Sequence, residues 1–225
     1  MDRRSVYAIV ACVLVLVCND FLIPVLYENF DWMKPILAYR KFILAALLVG
    51  VMICAVEKAS PLTAGLGFGD WRKTLTATVL VSGAILIVTW LTAVFWKKLG
   101  YLRIEGDFVY FIGNEIPLQI ITPAILYTLL WDQIINVALP EEMIYRGYFQ
   151  SRMNFSYGPV ISISSSTLLF ALVHIDRPLM LVHLMIIGPL YGWAYHYSKS
   201  IFPSVIAHCL SNLIGLLIIG HIAAN

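Results

Sequence analysis

At 225 residues, 60% hydrophobic and only 12% charged, this chain is too apolar for a soluble domain, in which roughly half of the residues are apolar. Its net charge of +2 comes from scattered lysines and arginines, which argues against a nucleic-acid-binding patch or a charged tail. A mean hydropathy of +0.85 and apolar stretches of about 20 residues, the length that crosses a bilayer as a helix, predict one domain, residues 1–225. Its expected class is an all-α, polytopic integral membrane helical bundle. Stretches such as 43–56 lack the strict alternation that membrane β-strands need.

About seven transmembrane helices are predicted, with six to eight compatible with the pattern. They cover roughly 6–26, 36–56, 74–96, 117–138, 159–174, 179–197 and 201–221. The first three make an N-terminal part, 1–98. Arg3 and Arg4 precede an apolar run with no small-x-small cleavage site after it, so the first span reads as a retained helix and not a signal peptide. Asp20 then reads as interfacial, beside Tyr27, Asp31 and Trp32, as in an aromatic belt. Arg40 and Lys41, near the start of the second span, are expected to snorkel to the headgroups. Residues 57–73 form a Gly- and Pro-containing connection, and 97–115, the longest polar stretch, reads as a loop or a short surface helix.

Pro117 is expected to open the fourth span, in which Asp132, Gln133 and Asn136 should face the protein interior or a wet cavity. Pro140 then predicts a kink or the first residue of a new helix. Gly158-Pro159, 176–178 and 198–200 mark the later breaks. The small hydroxylated run from Ser162 to Thr167 suits close helix–helix contact. Cys12, Cys18, Cys54 and Cys209 lie in apolar segments without CxxC spacing, and read as small buried residues. Seven basic residues fall on each side of a seven-span topology, so charge leaves the orientation open.

Residues 140–152 concentrate charge where the surroundings are apolar. On a helix, Glu142 and Arg146 are four apart and share a face, whereas Glu141 points about 100° away. One glutamate is thus tied to an arginine and the other is left for a different neighbour. Downstream, Phe170 and His174 are four apart, as are His208 and Asn212. A lone intramembrane histidine is well explained as a bonded core residue. Here a Glu pair with its Arg, a His and a His-Asn pair require explanation together, and intramembrane ionisable groups are functional suspects.

Peptide hydrolysis would use the whole set: Glu141 as general base, His174 holding water, and His208 and Asn212 donating to the developing oxyanion. The same residues suit another use, since Glu141, His174 and His208 could hold zinc with one position open to water. No His-Glu-x-x-His motif and no Gly-x-Ser-x-Gly motif occurs. His183 is mid-span, while His196 and His221 look interfacial.

Glu141-Glu142-x-x-x-Arg146, Phe170-x-x-x-His174 and His208-x-x-x-Asn212, in that order, resemble the motifs of the CPBP family. These are the CAAX-protease and bacteriocin-processing intramembrane proteases, also called Abi proteins, which include relatives of the Ras-converting enzyme. The resemblance covers about 117–220, which it marks as a catalytic core. It implies a helical membrane fold with a conical cavity open to one leaflet and the cytosol. It implies a glutamate-based protease in which Glu141 and His174 activate water, and His208 and Asn212 form the oxyanion site. Glu142, Arg146 and Phe170 would support them, and no cofactor is expected.

The implied partners are the lipid bilayer and a membrane-associated protein or peptide, cleaved near its end: a prenylated CAAX tail, a leader or a sorting tail. The expected location is a prokaryotic plasma membrane. Two departures bear on the substrate pocket. Tyr145 stands where many members have Phe, and Gly188 and Gly192 are the only glycines between the second and last motifs. A non-enzymatic immunity or scaffold partner from the same family is the alternative to an enzyme. A proton-linked transporter is the third reading, and it would predict inverted repeats, which the chain does not display.

Overall fold

The structure, a computed structural model, describes residues 3–19, 23–30, 34–106, 108–111, 114–117, 123–175 and 178–224. Asp20, Asp31, Trp32, Asp107 and the break at 176–177 lie outside the described residues. The chain is a helical membrane bundle. Helices α1 (Arg3–Val17), α2 (Ile23–Asn29), α3 (Lys34–Leu37) and α4 (Arg40–Leu47) come first, and α4 runs on as π-helix over Leu48–Val56. Helix α5 (Trp71–Lys98) follows a 3-10 turn at Pro61–Ala64. Then come α6 (Pro123–Asp132), a π stretch Gln133–Ala138, α7 (Leu139–Glu142), a second π stretch Met143–Gln150, and α8 (Ser151–Leu172). Helices α9 (Pro178–Ser198) and α10 (Phe202–Ala224) complete the bundle. Among the described residues, Trp71–Lys98, Tyr127–Leu172 and Phe202–Ala224 are long and apolar enough to cross a membrane.

Helix α5 shows why the bundle belongs in lipid. The Asp70 carboxylate caps it by accepting from the backbone N–H groups of Arg72 (2.9 Å) and Lys73 (3.3 Å), and Lys97 and Lys98 sit in its last turn, where cations suit the helix dipole. Its buried face, Thr74, Ala77, Val81, Ser82, Ile85, Thr89 and Ala93 down to Trp96 near its end, is mostly small and partly polar. Its outward face carries Leu75, Val79, Leu80, Ile87, Trp90, Leu91 and Phe95, all at least half exposed. Small and polar inside with large and apolar outside is the arrangement of a helix bathed in lipid. Helix α5 packs mainly on α10 and α9, and α9 packs on α8.

Residues 102–117 correct the sequence reading. They form a three-stranded antiparallel sheet, β1 (Leu102–Glu105), β2 (Phe108–Phe111) and β3 (Asn114–Pro117), with Glu105 opposite Phe108 and Phe108 opposite Pro117. Pro117 therefore ends a strand, and the next helix opens at Pro123. The reason is the period-two run Leu102-Arg103-Ile104-Glu105, followed by Gly106 at φ 58°, a tight hairpin turn. Leu102 and Val109 are buried together with Ala93, Trp96 and Ile219, so the sheet seals the ends of α5 and α10.

The central helix is the other correction. It does not stop at Ala138 but continues through the Glu pair to Tyr157. That is about 50 Å at 1.5 Å per residue, longer than the ~30 Å hydrocarbon core. Pro140 stands in the first turn of α7, between two π stretches, and the backbone is helical at Ala138 before it and at Met143 after it. The break comes where Gly158-Pro159 predicts it, with Gly158 at φ 77°. Asp132 also departs from expectation: it is exposed and accepts from Asn136 of its own helix at 2.8 Å. Of the cysteines, Cys12 and Cys209 are buried, Cys18 is half-buried and Cys54 is exposed, and all four are free thiols. Cys54 departs from the buried reading because its helix face looks outward from the bundle.

Candidate active site

The Glu pair sits in a single α-helical turn flanked by π-helix on both sides. Such widened turns are rare and often coincide with functional sites. Every residue from Pro140 to Gln150 is buried. Glu142 and Arg146 are fully buried and pair at 3.1 Å, as their spacing predicts. The Arg146 guanidinium lies 4.6 Å from the centre of the Phe170 ring and 5.2 Å from that of Tyr191. These contacts with the electron-rich ring faces help hold a charge away from water.

Arg146 and Gln150, one turn apart, reach across to α9. Arg146 Nη2 donates to the Gly188 carbonyl (3.3 Å) and Gln150 Nε2 to the Gly192 carbonyl (2.8 Å). The two glycines are four apart for a steric reason. A Cβ on Gly188 would stand 2.7 Å from Thr167 Cγ2, and one on Gly192 would stand 2.9 Å from Ile163 Cγ2. The hydroxylated run of α8 serves the same close packing: Ser166 Oγ donates to the Tyr145 carbonyl at 2.9 Å. Gly188→Ala is expected to lower stability by about 1–3 kcal/mol through overpacking, read as a lowered unfolding midpoint of the purified protein in detergent.

Glu141 turns the other way, as expected, and meets a residue that the sequence reading sent elsewhere. Lys41 does not snorkel to the headgroups. Its ammonium points into the bundle and donates to Glu141 Oε1 at 2.6 Å. The physical reason is that a buried carboxylate beside it offers better compensation than an apolar helix face. His208 stands between the two glutamates: Nδ1 is 3.0 Å from Glu142 Oε1, and Nε2 is 3.9 Å from Glu141 Oε2. Its ring stacks on Tyr191 at 5.3 Å and meets Phe170 edge-on at 5.8 Å.

His174 Nδ1 lies 3.0 Å from the Phe170 carbonyl. A carbonyl only accepts, so Nδ1 carries the proton and Nε2 is left as an acceptor. Asn212 donates one amide hydrogen to Gln133 Oε1 at 2.7 Å, which leaves it a second donor.

A cavity of about 470 Å³ gathers these groups: Glu141, His174, His208 and Asn212 all line it. Its lining from α5, α9 and α10 mixes apolar residues, Met180, Leu184, Leu216 and Ile219 among them, with Thr89, Thr92, His183 and Ser211; Thr92 Oγ1 and His183 Nδ1 lie 3.3 Å apart. A smaller cavity of about 90 Å³ adjoins it, walled by Val15, Leu44 and Tyr145, and by Lys41, Glu141 and His174. For zinc, the residues present fit poorly. Among the described residues, no three of His, Cys, Asp and Glu converge closely enough to hold a metal ion, and an ammonium already faces Glu141 Oε1.

Four contributors escaped the sequence reading: Lys41, Gln133, Gln150 and Tyr191. Gln150 had a signal, since Glu142, Arg146 and Gln150 recur every four residues on one face. Lys41 had one as well, because a charge inside an apolar helix is a functional suspect. Tyr191 and the Gln133–Asn212 pairing had none.

No curated protein and no solved structure gives a significant match to the chain. A family model does match, over the stretch that carries α6 to α9, the first part of α10 and all of the motifs. Residues 120–214 match the model of the Rce1-like type II CAAX prenyl endopeptidases, a protease family, so over this stretch the chain is similar to that family.

Proposed function

We propose that the protein is an intramembrane endopeptidase that hydrolyses a peptide bond near the end of a membrane-associated protein or peptide, using water activated by Glu141 and no metal. The observation that carries this reading is the convergence of Glu141, His174, His208 and Asn212 on one cavity inside the bundle. Each polar group has a partner that fixes its direction: Lys41, the Phe170 carbonyl, Glu142 and Gln133 respectively.

In the first step, Glu141 takes a proton from water while the water oxygen forms a bond to the scissile carbonyl carbon, whose π electrons move to oxygen. His174 Nε2, an acceptor, holds the second hydrogen of that water. The free amide hydrogen of Asn212 donates to the oxyanion. His208 Nδ1 is bound to Glu142, so Nε2 joins as a second donor when the ring is protonated. In the second step the C–N bond breaks as the oxyanion collapses, and the proton on Glu141 passes to the leaving amine. Atoms and charge balance without a covalent enzyme intermediate. The apolar side chains in the cavity wall, Met180, Leu184, Leu216 and Ile219 among them, suit the lipid-embedded part of a substrate, which a prenyl group or an apolar peptide segment would supply.

The test is cleavage by the purified full-length protein in lipid nanodiscs. Its probes are an internally quenched peptide with a farnesylated CAAX tail and the same peptide without the lipid, with products identified by mass. Proteins encoded beside the gene, co-expressed with it, extend the panel. Asn212→Ala is expected to lower kcat by about 10²- to 10³-fold, the usual cost of one oxyanion donor. Turnover of any substrate at an unchanged rate in Asn212→Ala would remove that residue from the oxyanion site. A panel left wholly intact by the wild type would contradict the proteolytic reading.

A further inference from the structure

Helix α4 lies outside residues 120–214, which carry the family match, yet it supplies the nearest charge to Glu141. Lys41 stands at 2.6 Å, against 3.9 Å for His208. We propose that Lys41 is a positioning residue of the active site: it is the counter-ion that fixes the Glu141 carboxylate and keeps a positive charge beside the reacting atoms. This rests on the glutamate-base reading above.

Three observations carry it. Lys41, Glu141 and His174 are the residues shared by the walls of the large and small cavities, so the ion pair sits where the two meet and a substrate passing between them would touch it. The Lys41 side chain is 35% exposed while that of Glu141 is 10% exposed; the lysine reaches in from the cavity side and the carboxylate is the sequestered partner. An ammonium has three N–H donors, and one of them is spent on Glu141. A lysine placed only to neutralise a buried glutamate has no need to face both cavities. One that orients a base must hold Oε1 while leaving Oε2 free, and Oε2 is the oxygen on the His208 side.

The chemistry explains why a fixed cation belongs there. When Glu141 accepts the proton of water, its negative charge disappears and a negative charge develops on the substrate carbonyl oxygen. Charge moves across a few ångströms inside a poorly screened site. An ammonium within reach of both ends offsets the transfer without having to reorganise. Lys41 gains and loses no proton in either step.

The experiment compares the full-length wild type with Lys41→Gln, Lys41→Arg and Lys41→Ala, on whichever peptide the wild type cleaves. Lys41→Gln keeps much of the length and loses the charge; kcat is expected to fall about 10- to 100-fold, the worth of a charged hydrogen bond, with KM unchanged. Lys41→Arg keeps most of the activity, since the adjoining cavities give the guanidinium room. Lys41→Ala regains turnover when ethylammonium is added and not when 1-propanol is added.

A Lys41→Gln enzyme with wild-type kcat, alongside an inactive Glu141→Gln enzyme, overturns this inference and leaves the glutamate-base reading intact. Loss of the base reading shows differently, as turnover surviving in Glu141→Gln. Should Lys41→Gln fail to fold, the Lys41→Ala comparison decides, and equal rescue by 1-propanol, or none by ethylammonium, reduces Lys41 to a packing role.

Discussion

Glu141→Gln is expected to lower kcat by about 10²- to 10⁴-fold, the range a positioned general base contributes, with KM little changed. Glutamine is the informative replacement. It keeps the shape and leaves an oxygen to accept from Lys41, whose ammonium bonds Glu141 Oε1 at 2.6 Å, but it cannot take a proton from water. Glu141→Ala would mix two effects, because it strands a lysine beside a buried site. The neighbouring carboxylate provides the contrast. Glu142 is fully buried and serves Arg146 and His208, so Glu142→Gln is expected to cost stability first and turnover through His208 second. Steady-state kinetics and an unfolding midpoint on the same two preparations separate the roles. A Glu142→Gln enzyme that unfolds normally and is the deader of the two would reverse the assignment.

Arg146→Met is expected to destabilise the protein by about 3–5 kcal/mol, the cost of leaving one member of a buried ion pair without the other. Both side chains have zero exposure, so no water compensates Glu142 once the guanidinium is gone. The change also removes the bond to the Gly188 carbonyl and the contacts with the Phe170 and Tyr191 rings. The double change Glu142→Leu with Arg146→Met should recover part of the loss, because it leaves no uncompensated charge. Reversible unfolding in mixed micelles reads both. If the single variant stays within 1 kcal/mol of wild type, roughly the worth of a solvated pair, the pair is not the buried clasp described here.

The ion pair and the direction of Glu141 were both legible in the sequence, because helical spacing alone fixes which side chains share a face. So were the gathering motifs in the second half and the break at Gly158-Pro159, whose backbone conformation glycine permits and whose next residue lacks an N–H. Three things were hidden for identifiable reasons. Lys41 looked like a headgroup anchor because an arginine and a lysine near a span's start fit both readings, and only packing brings α4 against α7. The π stretches around the Glu pair leave no mark in a periodicity of three or four residues. The small sheet was masked by counting 97–115 as polar, when its alternation and Gly106 turn were the stronger signals. Gly188 and Gly192, which looked like a thin remnant of a family pattern, turn out to stand where α8 and α9 approach too closely for a side chain.

The central claim, that water activated by Glu141 cuts a peptide bond without a metal, is tested most directly by product mass after exhaustive chelation. Wild type and Glu141→Gln would be treated with a zinc chelator, exchanged into metal-free buffer and given the farnesylated CAAX peptide. The account predicts the shortened peptide from the wild type at its untreated rate, and none from Glu141→Gln. Activity that vanishes on chelation and returns with zinc, or a shortened peptide from Glu141→Gln, would contradict it.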